Sequence, residues 1–233
     1  MTLFTATPTA TTLRVLAHLL GYPSPELREH LGELRDALRE DRALTAGRLL
    51  ELDALIERLR GGRPMDTEAA YVELFDRGRG TALHLFEHVH GDSRDRGPAM
   101  VDLIKTYEQA GLFIAPGELP DHLTVVLQYA STQPPEQARA FLREFSHILQ
   151  VIFSALLRRE SAYASVIAAL LDLAGEPAQA VKLPVEQELD ESWEEPLAFG
   201  GCSTAGQASP GQPQPIRIVR TPPHAQATPG ARA

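Results

Sequence analysis

His84, Glu87 and His88 stand in the order H-x-x-E-H, the inverted zincin pattern. On a helix, histidines four residues apart share a face and can hold zinc, leaving the glutamate to activate water. His90, Arg94 and Arg96 follow within a few residues, so the stretch LHLFEHVHGDSRDRGPAMVD (83–102) gathers polar groups at one helix–helix corner. Two features of the residues weigh against a zinc hydrolase. No third protein ligand stands out among the many helical glutamates, and Arg94 and Arg96 place positive charge beside the would-be metal. A lone Cys202 adds nothing, and no Ser/His/Asp nucleophile arrangement is visible. The other readings of the corner are structural or recognitive. His88 can bond within the corner and His90 can end a helix before Gly91, or both can face a groove and bond a partner's backbone. In the Gly91–Gly97 connector, Asp92 or Asp95 can bridge Arg94 or Arg96, a pairing worth ~0–1 kcal/mol on a surface. Alternatively, one arginine clamps a carboxylate or phosphate bidentately.

A second constellation is Asp121-His122-Leu123, preceded by Glu118-Leu119-Pro120. Pro120 predicts the start of a helix, which puts Asp121 in its first turn. There a carboxylate favours the free N–H groups, or else faces a ligand. A third is Tyr71, Phe75 and Asp76. Tyr71 and Phe75 are spaced i, i+4, which suits either a core pair or a groove wall.

The elements that must position these groups are helical. Ser24-Pro25 reads as a cap and first turn before Leu27, Leu31, Leu34 and Leu38. Leu49, Leu52, Ile56 and Leu59 repeat the stripe, and Gly61-Gly62 ends it. Asp66 is expected to cap a helix carrying Tyr71, Leu74 and Phe75. Pro98 opens one through Val101, Ile104 and Tyr107, stopped by Gly111. After the helix from Pro120, Pro134-Pro135 launches an apolar run from Ala138 to Leu156, about 40 Å long if unbroken. A last helix runs from Ser161 to Gly175. Strand alternation is absent. The expectation is an all-α, single-domain bundle of about eight helices over residues 1–175.

Beyond Gly175 the composition changes. Nine of the 18 prolines lie between Pro177 and Pro229, among Gln, Gly, Ser and Thr. Such a segment buries too little apolar surface to offset its ordering entropy, so residues 176–233 are expected to be a mostly disordered tail. Its exception is ESWEEPLAFGGC (191–202), an acidic–aromatic island holding the single tryptophan.

The chain has 233 residues, a net charge of −9 and 23% charged residues. An acidic chain without a Lys/Arg cluster argues against nucleic acid as a partner. One cysteine permits no internal disulfide and fits a reducing compartment. The N-terminal apolar stretch has no charged leader and is broken by Thr, Arg and His. We therefore expect no signal peptide, no direct membrane insertion and a cytoplasmic location.

The histidine corner and its flanks, AAYVELFDRGRGTAL (69–83), MVDLIKTYEQAGL (100–112) and ELPDHLTVVLQYAS (118–131), resemble the delta subunit of respiratory nitrate reductase. That family consists of molybdenum-cofactor assembly chaperones. The resemblance is nearly continuous over about sixty residues, and residues 191–202 resemble the family more faintly. The family stretch does not depend on a histidine at position 84, which further weakens the zinc reading.

The resemblance implies a dedicated chaperone, not an enzyme, with no cofactor or metal of its own. Its implied partner is the apo catalytic alpha subunit, including the N-terminal segment. The subunit would be kept competent for cofactor insertion before membrane docking, with cofactor-insertion proteins as further partners. In the wider family of redox-enzyme maturation chaperones, an acidic, Asp-His, apolar motif is associated with binding the client's leader. That implies client contacts at Asp121, His122 and Leu123. The expected site also takes in Glu87, His88, His90, Arg94, Arg96, Tyr71, Phe75 and Asp76. A helical adaptor maturing a different molybdoenzyme is the other open reading.

Overall fold

The computed structural model describes residues 10–91 and 93–183. The acidic–aromatic island, Cys202 and the expected disordered tail lie outside the described residues. So do Asp92 and the first nine positions.

The described residues form ten α-helices and no strands. They are α1 (Ala10–Leu19), α2 (Pro25–Asp41), α3 (Ala46–Gly61), α4 (Pro64–Tyr71), α5 (Leu85–His90), α6 (Arg96–Gln109), α7 (Leu123–Thr132), α8 (Pro135–Glu144), α9 (Ser146–Arg158) and α10 (Ala164–Ala174). Ser24 and Thr45 cap α2 and α3 by accepting the N–H groups of Leu27 and Arg48, each at 3.3 Å. Each such cap contributes ~1 kcal/mol. Gly175 ends α10 at φ +82°, a left-handed position that a Cβ would strain.

Helix α10 is buried almost all round, from Ala164 through Leu171 and on to Ala174. Such a helix is the centre of a bundle, not its surface. It packs on α3, α8 and α9, while α1 packs on α2 and α7. A smaller apolar cluster forms beside this core from Leu103, Tyr107 and Val125, with Tyr129 and Phe141 against it. No single helix among the described residues is long and apolar enough to cross a membrane.

Ten helices replace the expected eight for two reasons. The run after Pro134 breaks at Phe145, where α8 and α9 bend by 66°. The apolar stripe keeps its period across the bend, so periodicity does not reveal it. The histidine corner also folds into a short helix of its own, α5. Other boundaries shift by a few residues: α6 starts at Arg96 rather than Pro98, α10 at Ala164 rather than Ser161, and α4 at Pro64 rather than at an Asp66 cap, with Asp66 pairing instead with Arg63 at 2.6 Å.

Candidate functional site

Helix α4 does not simply end at Tyr71. It runs into a π-helical turn, Val72–Asp76, and then a 3-10 turn, Arg79–Thr81. A π turn packs one more residue per turn than an α-helix, and such turns occur often at functional positions. Here it buries Phe75 beside Tyr71 and leaves Asp76 exposed. Gly78 is required where the chain then reverses, since a Cβ there would lie 2.5 Å from the Leu74 carbonyl oxygen. The Thr81 hydroxyl, buried, donates to the same carbonyl.

Beneath this turn lies an aromatic stack. Phe75 meets the Tyr163 ring at 5.0 Å, and Tyr71 meets Tyr22 at 5.6 Å, all near edge-to-face. The Tyr71 hydroxyl donates to the Leu20 carbonyl at 2.7 Å, whereas the buried Tyr163 hydroxyl has no hydrogen-bond partner among the described residues.

The second wall is made by pairing between distant segments. The Leu85 N–H donates to the Asp121 carbonyl at 3.0 Å, and the Leu123 N–H to the Leu83 carbonyl at 2.8 Å. This two-rung antiparallel bridge sets the rings of His84 and His122 4.9 Å apart. His122 bonds through Nδ1 to the Thr124 hydroxyl at 2.6 Å. Burial pushes its pKa down, and the neighbouring His84 adds to that, against the opposing pull of Asp121 and Asp76. The imidazole therefore favours its neutral form.

Asp121 departs from expectation. Pro120 begins a turn, not a helix: α7 starts at Leu123, with His122 as its cap residue. The Asp121 side chain is 0% exposed and turned inward. It accepts the Phe86 N–H at 3.1 Å, which caps α5 from outside its own segment. Arg96 lies 3.6 Å from one carboxylate oxygen and His84 3.7 Å from the other, distances of ion pairing rather than full hydrogen bonds. Burial raises the Asp121 pKa. His84, the Phe86 N–H and Arg96 more than offset this, so the carboxyl stays below the usual carboxylate range.

The other expected residues divide. Tyr71, Phe75, Asp76, Glu87 and His122 line one cavity of about 250 Å³, together with His84, Arg79 and Gly78. His88 sits behind it, its Nε2 bonded to the Ala82 carbonyl at 2.8 Å. His90 stacks edge-on against Phe86 at 5.8 Å, just before Gly91 ends α5 at φ +51°. Arg94 is exposed on the connector. Arg96 turns to Asp121 and Asp95 takes a hydrogen bond from the Ser93 hydroxyl, while the expected pairing through Asp92 falls on a residue outside those described. Leu123 is 1% exposed and packs in the main core.

The geometry does not favour zinc. His84 precedes α5 with an extended backbone and faces Asp121 and His122, and His88 is committed to a carbonyl. Among the described residues, no three His, Cys, Asp or Glu side chains come together as metal ligands. Sequence reading missed the roles of His84, Arg79 and Gly78. The pairing of His84 with a partner at 122 leaves no local signal, although the glycine between two arginines marks the tight reversal.

A second cavity of about 250 Å³ also takes in Tyr71, with a mainly apolar lining from α3, α4, the π turn and the segment leading into α10. Leu59, Leu74 and Tyr163 contribute to it.

A family model described as "Nitrate reductase delta subunit" matches residues 21–169. The nitrate reductase molybdenum cofactor assembly chaperone NarJ of Escherichia coli K12 is 40% identical over 193 residues, covering 78% of this chain and 82% of that one. The probable chaperone NarW of the same strain is 36% identical over 193 residues, covering 78% and 80%. The probable NarJ of Bacillus subtilis 168 is 29% identical over 163 residues, covering 69% and 86%. A crystal structure from Archaeoglobus fulgidus, whose own description proposes a redox enzyme maturation protein, aligns with a TM-score of 0.51 at 17% identity. It covers 75% of this chain and 99% of that one, which shows a shared fold.

Proposed function

Because the chain belongs to the nitrate reductase delta subunit family, we propose that it is the dedicated assembly chaperone of a respiratory nitrate reductase. In this reading it binds the apo alpha subunit, including its N-terminal segment, in the cytoplasm. It holds that subunit competent for molybdenum cofactor insertion, together with cofactor-insertion proteins, and releases it for membrane docking afterwards.

The observation that carries the site assignment is convergence. Residues singled out from three separate stretches (Tyr71, Phe75 and Asp76, then Glu87, then His122) line a single cavity. Tyr71 also lines the adjacent apolar cavity, so a client segment crossing it meets polar groups on one side and aliphatic walls on the other. This suits helix-in-groove capture, in which apolar side chains anchor and a few polar contacts fix register. His122 and Glu87 supply those contacts, and Asp76 stands exposed at the rim. Asp121, Arg96 and His88 act from behind as positioning residues. A chaperone must release its client, which fits a transient interface below about 1,200 Å². Micromolar affinity corresponds to about −8 kcal/mol.

The test is a pull-down from cells making the alpha subunit with and without cofactor. Preferential recovery of the cofactor-free form is expected, and equal recovery of both forms overturns the reading. For the site, a His122→Gln variant should bind a peptide of the alpha-subunit N-terminus more weakly while melting normally. Unchanged affinity would move the client elsewhere.

A further inference from the structure

A third hollow lies away from the histidine corner and is larger, about 560 Å³. Its floor is the outer surface of the smaller core cluster, with Ala17, Tyr107, Leu112, Ile114, Val125 and Tyr129 among its lining. The floor is held firmly. The Tyr107 hydroxyl donates to the Pro120 carbonyl at 2.8 Å, and the Tyr107, Tyr129 and Phe141 rings stack in series at 4.7 and 4.8 Å. Phe113 stands on the rim at 81% exposure, on the segment between Gly111 and Gly117, both at positive φ. A large aromatic held in water beside a formed apolar trough is a pattern of recognition surfaces.

The charges say what kind of partner fits. Arg14 and His18 sit one turn apart on the exposed side of α1, along one wall. Arg14 donates from its Nε to the Ser131 hydroxyl at 3.3 Å, which ties its side chain to α7 where both line the trough. Helix α1 carries no acidic residue and α7 no charged residue at all, although the chain as a whole has a net charge of −9. Glu118 is the one carboxylate on the lining and lies on the connecting segment, not on α1.

We propose that this trough is a second peptide-docking site, which takes an acidic amphipathic segment of a partner protein. The partner's carboxylate meets Arg14, and its apolar side chains lie on Tyr107 and Tyr129 under Phe113. Arginine suits the task because its planar fork grips a carboxylate bidentately. The site does not depend on where the nitrate reductase segment binds, since its lining shares no residue with the histidine-corner cavity.

The full chain is titrated with a synthetic peptide of roughly 15 residues bearing Leu and Phe on one helical face and Glu on the flanks. A twin peptide carries Lys in place of each Glu. Isotope-labelled protein reports the site. The expected result is that the glutamate peptide shifts the signals of Tyr107, Tyr129 and Phe113, and that Arg14→Gln weakens it roughly tenfold. The lysine twin should bind at least tenfold more weakly (roughly), and added salt should weaken the glutamate peptide. Glu118→Gln should tighten it by roughly twofold. Because Phe113 is exposed, Phe113→Ser tests the trough without risk to folding and should also weaken binding. Equal binding of both peptides, no effect of Arg14→Gln, no binding at all, or shifts confined to His84 and His122 would each overturn the proposal.

Discussion

Replacing Asp121 by Asn isolates a charge without changing a shape. The carboxylate is 0% exposed and faces Arg96 at 3.6 Å, His84 at 3.7 Å and the Phe86 N–H at 3.1 Å. Removing one partner of a fully buried pair costs ~3–5 kcal/mol. Arg96 and His84 retain 27% and 33% side-chain exposure, so water partly compensates them and the figure must be discounted. The amide oxygen of Asn can still accept from Phe86. We therefore expect a loss of about 2 kcal/mol for Asp121→Asn and about 3–4 kcal/mol for Asp121→Ala, which also strands that N–H. For a chain of this length, about 2 kcal/mol lowers Tm by about 4–8 °C. Urea unfolding followed by circular dichroism measures both variants. A double-mutant cycle with Arg96→Gln should give a coupling of at least about 1 kcal/mol. If Asp121→Asn lies within about 0.5 kcal/mol of the parent, or the cycle shows no coupling, the argument that this carboxylate ties the corner together is wrong.

Acidification should act through His122, whose folded pKa lies below its ordinary 6.5 because of burial and the nearby His84. Between those two values the unfolded chain binds the proton and the folded chain does not. Stability is thus complete above about pH 6.5 and falls as the pH drops below it. Urea midpoints should show this decline, and His122→Gln should flatten it. Asp121 is depressed below its ordinary 3.8 and adds no slope until the pH falls under that value. Tyr163→Phe removes a buried hydroxyl that has no partner among the described residues, so a neutral effect or a gain of up to about 1 kcal/mol is expected on thermal melting. Tyr71→Phe should instead lose about 1 kcal/mol, because it deprives the Leu20 carbonyl of its donor. Phe75→Ala opens the aromatic stack and should cost ~3–5 kcal/mol in the same measurement.

Much of the fold was legible because its signals are local. Ser24-Pro25 and Pro135 start helices where their chemistry says, and Gly61-Gly62, Gly111 and Gly175 stop them. The bend at Phe145 was not legible, because a stripe of Phe141, Leu142, Ile148 and Leu149 reads as one helix face whether or not the axis turns. At the site, residue types were legible and orientations were not. Asp121 and His122 are adjacent, yet one is sealed inside and the other lines a cavity, because the bridge to His84 fixes which way each points. The exposed trough under Phe113 gave no motif, since its lining comes from α1, α6, α7 and the segment joining α6 to α7.

The extra residue wound into Val72–Asp76 fixes the phase of everything after it. An ordinary α-helical course through the same stretch would displace each following side chain by roughly a quarter of a revolution. Phe75 would slide off the Tyr163 ring, and Asp76 would look away from the hollow it now borders. Deleting a single amino acid there would leave sequence, charge and helix content almost untouched, yet swing this wall of the hollow out of alignment. Length, at that one point, shapes the hollow as much as residue identity does.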